Sequence, residues 1–143
     1  MPHRYLDDTA IADVAFEAWG DSLEGMFAAA ADATLQVMVA DLATVARRER
    51  RELHLEAEAI DLLLFQLLQE LVFYKDAERL LLRVATINIK QHDDTWVLTA
   101  QVQGELIDPD RHELLVDIKA VTLHRFHVGT FEDGWKAFVI LDI

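Results

Sequence analysis

Trp135-Lys136-Ala137-Phe138-Val139-Ile140-Leu141-Asp142-Ile143 is the last stretch of the sequence, and its apolar and β-branched residues predict a strand that runs to the terminus. Chain ends usually fray, but no polar tail follows this strand. The Asp142 side chain and the α-carboxylate of Ile143 would then be neighbours on a rigid element. Two such oxygen groups are half of a divalent-cation site. The alternative is a strand that simply stops, with Asp142 solvated.

The composition predicts one globular domain over residues 1–143. Hydrophobic residues make up 52% of the chain, and 5 Gly and 2 Pro are too few for a disordered protein. The absence of cysteine excludes disulfides, thiolate-bound zinc, iron–sulfur clusters and a cysteine nucleophile.

The charge balance predicts which partners suit the chain. It has 13 Lys and Arg against 26 Asp and Glu, for a net charge of -13. Phosphate backbones repel such a chain, so we expect no direct nucleic-acid binding and favour a basic protein surface or a metal cation. No signal-peptide hydrophobic region opens the sequence, and the apolar stretch 59–73 is too short to span a bilayer. We therefore expect a cytoplasmic protein without membrane contact.

Two helices are predicted in the first half of the chain. The first runs from Ser22 to Val39, with Asp21 and Glu24 as a capping box. The second covers 59–75 and is apolar nearly all round, which predicts the central buried helix. Strands are expected before each helix, over 12–18 and 47–57, where polar and apolar residues alternate. In the first strand Val14, Phe16 and Ala18 share one side, and Asp13, Ala15 and Glu17 the other.

The second half is rich in strands. Segments 81–91 and 95–104 flank Asp93-Asp94, which predicts a hairpin. A long strand over 114–128, either bent or divided in two, and a last strand over 134–141 follow. The order β-α-β-α-β-β-β-β predicts an α+β fold with two helices packed on a mainly antiparallel sheet.

Motifs for catalysis are absent from the sequence. It contains no HExxH, Walker A, GxGxxG or GxSxG pattern. His124 and His127 are three apart on a predicted strand and would point to opposite faces. Nucleophilic catalysis therefore has no visible candidate.

Charged residues offer three further candidate sites, each with two interpretations. Asp13, together with Asp142 and the Ile143 carboxylate, would bring together three negative groups that a metal would stabilise, or the two aspartates are unrelated strand ends. Lys119 either pairs with these carboxylates or an anionic ligand, or is a rim lysine whose stem covers apolar surface. The arginines of 47–51 contact RNA or an acidic partner, or form a solvated strand entry balanced by Glu49, Glu52 and Glu56.

Taken together, the segments resemble the archease family over almost the whole chain. The matching segments are Ala12-Asp13-Val14-Ala15-Phe16 with Gly20; Ser22-Leu23-Glu24 with Phe27; Gly104-Glu105, Asp108 and His112; Lys119-Ala-Val-Thr122 with His124; and Gly134-Trp135 leading to Leu141-Asp142-Ile143. The Lys-Ala-Val-Thr-x-His run and the Asp-Ile terminus are the specific parts. One departure stands out: the family usually has His-Thr-Ala-Asp where this chain has Ala10-Ile11-Ala12-Asp13.

The resemblance implies a non-enzymatic cofactor of an RtcB-type RNA ligase, which joins RNA ends in tRNA splicing and RNA repair. The family promotes guanylylation of the ligase, so that it turns over repeatedly. It binds a divalent metal at positions that match Asp13, Asp142 and Ile143, and Lys119 lies in its signature run. Oxygen ligands favour Ca²⁺, Mg²⁺ or Mn²⁺. Two alternatives stay open: a general chaperone of RNA-modifying enzymes and a metal-dependent hydrolase.

Overall fold

A computed structural model describes residues 2–6 and 13–143. The strands are β1 (His3–Leu6), β2 (Asp13–Gly20), β3 (Glu49–Ala57), β4 (Leu80–His92), β5 (Thr95–Leu106), β6 (Ala120–Phe131) and β7 (Gly134–Asp142). The helices are α1 (Leu23–Met38) and α2 (Ile60–Glu78), with a short 3-10 helix at Leu42–Thr44. The predicted α+β class is confirmed, and β1 is a strand that the sequence did not predict.

The strands form two antiparallel sheets rather than one. A four-stranded sheet has the order β1-β2-β7-β6, and a three-stranded sheet has the order β3-β5-β4. Both helices contact both sheets: α1 packs on β2 and β7 and also on β4, while α2 packs on β6 and also on β3, β4 and β5. The main hydrophobic core therefore lies between the sheets and is built around the helices.

The start of α1 differs from the predicted capping box by one residue. Ser22, not Asp21, is the N-cap, and its hydroxyl accepts a hydrogen bond from the Gly25 N–H at 3.0 Å. Glu24 does not fold back on the cap; its carboxylate accepts the Ile89 N–H of β4 at 3.3 Å. The prediction was wrong because a tertiary acceptor role on β4 replaced the local one.

The more deeply buried helix is α1, not α2 as predicted. Twelve of the 16 residues of α1 are buried, against 7 of 19 in α2. The alanines of α1 keep its surface small, so both sheets can approach it closely. Leucine and phenylalanine gave α2 an all-round apolar pattern, yet Leu62 and Phe73 are 42% and 55% exposed.

The predicted hairpin is confirmed, whereas the predicted start of the long strand is wrong. His92 pairs with Thr95 around a two-residue turn. Residues 114–119 are not part of β6, because the segment from Glu113 bonds instead to the end of α1: the Leu115 N–H donates to the Met38 carbonyl at 2.8 Å. β6 itself is bent, since its register with β7 shifts between Thr122 and His127.

Candidate metal centre

The register of β2 and β7 places two aspartates opposite each other at one corner of the four-stranded sheet. Asp13 pairs with Asp142, as Ala15 pairs with Ile140 two residues along. Directly opposed residues of antiparallel strands have side chains on the same face, with Cβ atoms about 5 Å apart. Alternation thus brings two carboxylates together from opposite ends of the chain.

The two faces of β2 and β7 have different roles. Phe16 and Ala18 of β2, with their register partners Val139 and Ala137 of β7, face the core between the sheets. Asp13 and Asp142 alternate with them and lie on the outer face, where both are half-buried. Ile143 follows Asp142, and its side chain packs against the core. This packing holds the main chain after Asp142 in place, in contrast to a fraying end.

Lys119 reaches the same corner through its main chain. Its N–H donates a hydrogen bond to the Asp142 carbonyl at 2.8 Å, and the next residue, Ala120, is the register partner of Asp142. The Lys119 side chain is exposed and takes part in no ion pair within residues 2–6 and 13–143. Of the two interpretations of Lys119, an ion pair of its side chain with the carboxylates is not formed among the described residues, and its role in the site stays a prediction.

Glu17 shows how a carboxylate on this face is normally balanced. Lys136 lies 3.1 Å from it, and Arg4 donates two hydrogen bonds to the same group. The Arg4 hydrogen bond lowers the pKa of Glu17, with Lys136 adding to the effect. Asp13 and Asp142 have no such cation among the described side chains. Opposed like charges destabilise a sheet, so this corner favours an external cation.

The donor set at the corner suits a hard cation. Within the described part of the chain, no three His, Cys, Asp or Glu side chains gather as metal ligands. The site predicted from the sequence has two carboxylate side chains, Asp13 and Asp142, and the α-carboxylate of Ile143, and it stays a prediction. Oxygen donors of this kind favour Ca²⁺, Mg²⁺ or Mn²⁺ over zinc. Residues 10–12, where the family's His-Thr pair would fall, lie outside the described residues.

A buried carboxylate pins the start of the β5–β6 connection. Glu105 is 3% exposed and accepts hydrogen bonds from the Ala46 N–H at 2.9 Å, from His112 Nε2 at 2.8 Å, and from Arg111. The Asp108 N–H donates to His112 Nδ1 at 2.9 Å, which assigns the proton to Nε2. The Arg111 hydrogen bond is the main reason that the pKa of Glu105 falls to about 2. These hydrogen bonds fix the start of the β5–β6 connection on the segment that precedes β3.

A buried lysine that the sequence analysis missed holds the end of the β5–β6 connection, just before β6, in place. Lys75 of α2 is 5% exposed, and its Nζ donates to Asp117 Oδ1 at 2.6 Å, to the Ile118 carbonyl at 2.7 Å, and to Asp76. One signal was available: Lys75 continues the buried stripe that contains Leu68 and Leu71 at helical spacing.

Two of the four arginines at the start of β3, Arg48 and Arg51, form ion pairs. Arg51 lies 2.7 Å from Glu78 and 3.7 Å from Glu49, and Arg48 lies 3.4 Å from Glu105. Glu49 is the only predicted counter-charge among these partners. The arrangement corresponds to the solvated strand entry, with partners drawn from α2 and β5.

None of the helices in the described residues has the length and apolar character needed to cross a membrane.

Known proteins match this chain over nearly its full length. The model of the Archease protein family (MTH1598/TM1083) matches residues 3–143. The protein archease of Pyrococcus abyssi is 35% identical over 133 residues, which cover 92% of this chain and 93% of that protein. The protein archease of Methanopyrus kandleri is 32% identical over 145 residues, which cover 100% of both.

Two solved structures share the fold. The solution structure of Methanobacterium thermoautotrophicum protein 1598 has a TM-score of 0.84 and 34% identity, and the match covers 99% of this chain and 98% of that one. The crystal structure of an archease from Thermotoga maritima, named there as a possible chaperone, has a TM-score of 0.64 over 96% of both chains. Its 19% identity supports the fold alone.

Proposed function

This chain belongs to the archease family, and from that premise we propose that it is a non-enzymatic protein cofactor of an RtcB-type RNA ligase. It promotes guanylylation of the ligase and so sustains repeated turnover in tRNA splicing and RNA repair. The observation that carries the proposal is the register pair of Asp13 and Asp142 on one face of the sheet, with no cation in ion-pair contact among the described side chains. In this proposal, the site they form is the part of the molecule that acts on the ligase.

The proposed metal ligands are the carboxylates of Asp13 and Asp142 and the α-carboxylate of Ile143. A divalent ion bound there supplies positive charge that polarises or orients phosphoryl oxygens. The chain's own residues do the holding: core packing fixes Ile143, and the Lys119 N–H fixes the Asp142 carbonyl. The exposed Lys119 ammonium is left to contact the partner or its nucleotide.

The charge of the chain supports a protein partner rather than RNA. A net charge of -13 opposes phosphate backbones but complements a ligase cleft lined with basic residues. In this arrangement the ligase binds the RNA and the nucleotide. The archease chain binds transiently to the ligase cleft through the sheet corner that contains Asp13 and Asp142.

The test is transfer of a labelled guanylyl group from GTP to a purified RtcB-type ligase, with this chain at one tenth of the ligase concentration. We expect the wild-type chain to accelerate labelling and Asp142→Asn to lose the effect. Glu17→Gln is the matched control, because Glu17 lies on the same face but is balanced by Arg4 and Lys136. Equal stimulation by the wild-type and Asp142→Asn chains would refute the assigned site.

One observation favours a second function, a chaperone of RNA-modifying enzymes. Leu114, Leu115 and Val116 are consecutive and 43%, 52% and 44% exposed, which offers apolar surface to an unfolded client. A thermal-aggregation assay with unrelated clients separates the two functions. A chaperone protects several clients, and Leu115→Asp would weaken that protection; a dedicated activator protects none.

A further inference from the structure

The buried ammonium of Lys75 on α2 donates three hydrogen bonds, and only one of them goes to an acceptor that water cannot reach. A lysine ammonium has three donors, and all three are used, by Asp76, Asp117 and the Ile118 carbonyl. The two aspartates are 56% and 71% exposed, so water can take the place of the lysine at their side chains. Ile118 is fully buried, so its carbonyl has no such replacement.

The Ile118 carbonyl belongs to a peptide group whose other end reaches the metal corner. Its oxygen accepts from Lys75 Nζ at 2.7 Å, and its N–H, which is the Lys119 N–H, donates to the Asp142 carbonyl at 2.8 Å. That second carbonyl lies in the peptide group that joins Asp142 to Ile143. Two consecutive hydrogen bonds therefore connect a buried ammonium on α2 to the main chain between two proposed ligands.

We propose that Lys75 is a positioning residue of the metal centre, acting through the Ile118–Lys119 peptide group on the segment Asp142–Ile143. The inference rests on the proposed function, because it assumes that these residues hold a cation. Without the lysine, the peptide group turns toward water or another donor, and the Asp142–Ile143 peptide loses a fixed partner. Ligand orientation by outer partners of this kind is a general feature of metal sites.

Charge supports the same role. Burial lowers the pKa of Lys75, but hydrogen bonds to Asp117 and Asp76 outweigh it and leave the pKa raised. Lys75 is therefore an ammonium at neutral pH, with all of its donors available. A charged donor also polarises the peptide group it binds and so strengthens the next hydrogen bond along the chain.

The test compares Mn²⁺ affinity in the full chain, with free Mn²⁺ counted by electron paramagnetic resonance. We expect Lys75→Met to weaken binding by about 10-fold, the lower end of the loss seen when outer partners of metal ligands are removed. Leu71→Ala is the matched control, because it disturbs the same buried face of α2 without touching the hydrogen bonds.

Amide hydrogen exchange gives a readout that a merely stabilising role would not move. We expect the Lys119 N–H to exchange about 10-fold faster in Lys75→Met, and no faster than in the wild type in Leu71→Ala once exchange is scaled to global stability. Unchanged Mn²⁺ affinity in Lys75→Met would overturn the inference while leaving the metal centre standing. Failure of the wild-type chain to bind Mn²⁺ would overturn the proposed site, and the inference with it.

A measurement on the wild-type chain covers the case in which Lys75→Met does not fold. Coupling between two sites is reciprocal, so Mg²⁺ at the corner should shift the nuclear magnetic resonance signals of the Lys119 amide and the Lys75 ammonium. The Lys136 ammonium, which pairs with Glu17 on the same sheet face, is the internal control and should stay in place. Saturation with Mg²⁺ that leaves the Lys75 and Lys119 signals unmoved would contradict the inference.

Discussion

Asp142→Asn should stabilise the metal-free protein, although most substitutions in a folded chain destabilise it. The variant removes one of two like charges that face each other on β2 and β7. For charges as far apart as the Cβ atoms of opposed residues, about 5 Å, the repulsion in water is about 0.8 kcal/mol, and we take about 1 kcal/mol for a half-buried position. For a chain of this size that free energy raises the melting temperature by about 3 °C.

A bound cation reverses the order of stability of the wild type and Asp142→Asn. At a metal concentration of about 100 times Kd, binding stabilises the wild-type protein by about 2.7 kcal/mol, while Asp142→Asn gains far less. The wild type should therefore melt below the variant in EDTA and above it in saturating Mg²⁺ or Ca²⁺. Scanning calorimetry at low ionic strength measures the melting temperatures with and without metal. Added NaCl should reduce the difference in melting temperature between the two metal-free proteins.

Glu17→Gln is the control with the opposite sign. It removes a carboxylate from the same face, but one paired with Arg4 and Lys136, so the metal-free protein should lose stability. If Asp142→Asn is less stable than the wild type in EDTA, the two carboxylates do not repel each other as argued. If metal stabilises Asp142→Asn as much as the wild type, the two carboxylates do not share a cation.

Three further predictions concern the terminus, the buried carboxylate and the hairpin. Extending the chain beyond Ile143 turns its α-carboxylate into an amide, so the affinity for Mn²⁺ measured by calorimetry should fall while the circular dichroism spectrum stays the same; unchanged affinity would remove Ile143 from the ligand set. Hydrogen bonds from Arg111 above all, and also from Ala46 and His112, lower the pKa of Glu105 from 4.5 to about 2, so the stabilisation they give is complete above pH 4.5 and is lost as the pH falls toward 2. Glu105→Gln should flatten that part of the pH dependence of urea unfolding and cost about 1–2 kcal/mol at neutral pH, allowing for solvent screening of the exposed arginine; an unchanged acid limb would contradict this assignment. Gly104→Ala should be severely destabilising, by about 3 kcal/mol or more, because its Cβ would lie 1.6 Å from the Leu81 carbonyl oxygen across β4 and β5; a melting temperature close to that of the wild type would disprove that contact.

Local patterns were enough to predict the outer and inner faces of β2 and the β4–β5 hairpin. Both depend on neighbouring residues: alternation sets which side chains share a face, and Asp93-Asp94 marks the turn. The α+β class followed from the order of the elements. The division into two sheets did not, because strand order across a sheet depends on long-range pairing that no local pattern reports.

Errors arose where a tertiary partner replaced a local one. Glu24 bonds to β4 instead of closing a capping box, and residues 114–116 pair with the end of α1 instead of extending β6. The aspartates of the corner were named from the resemblance and from their places at strand ends; the register then placed them face to face. Lys75 went unnoticed because a lysine near the end of a helix usually faces water, and only its partners Asp117 and Ile118 show its role.

Multiple-turnover RNA ligation by a purified RtcB-type ligase, with and without this chain, tests the central claim most directly. With RNA in excess over the ligase and the chain at one tenth of the ligase concentration, the account predicts that ligation continues past one turnover for the wild-type chain. It predicts a stop after one turnover with Asp142→Asn. A ligase that turns over equally well with the wild-type chain, with Asp142→Asn and with no added protein would contradict the account.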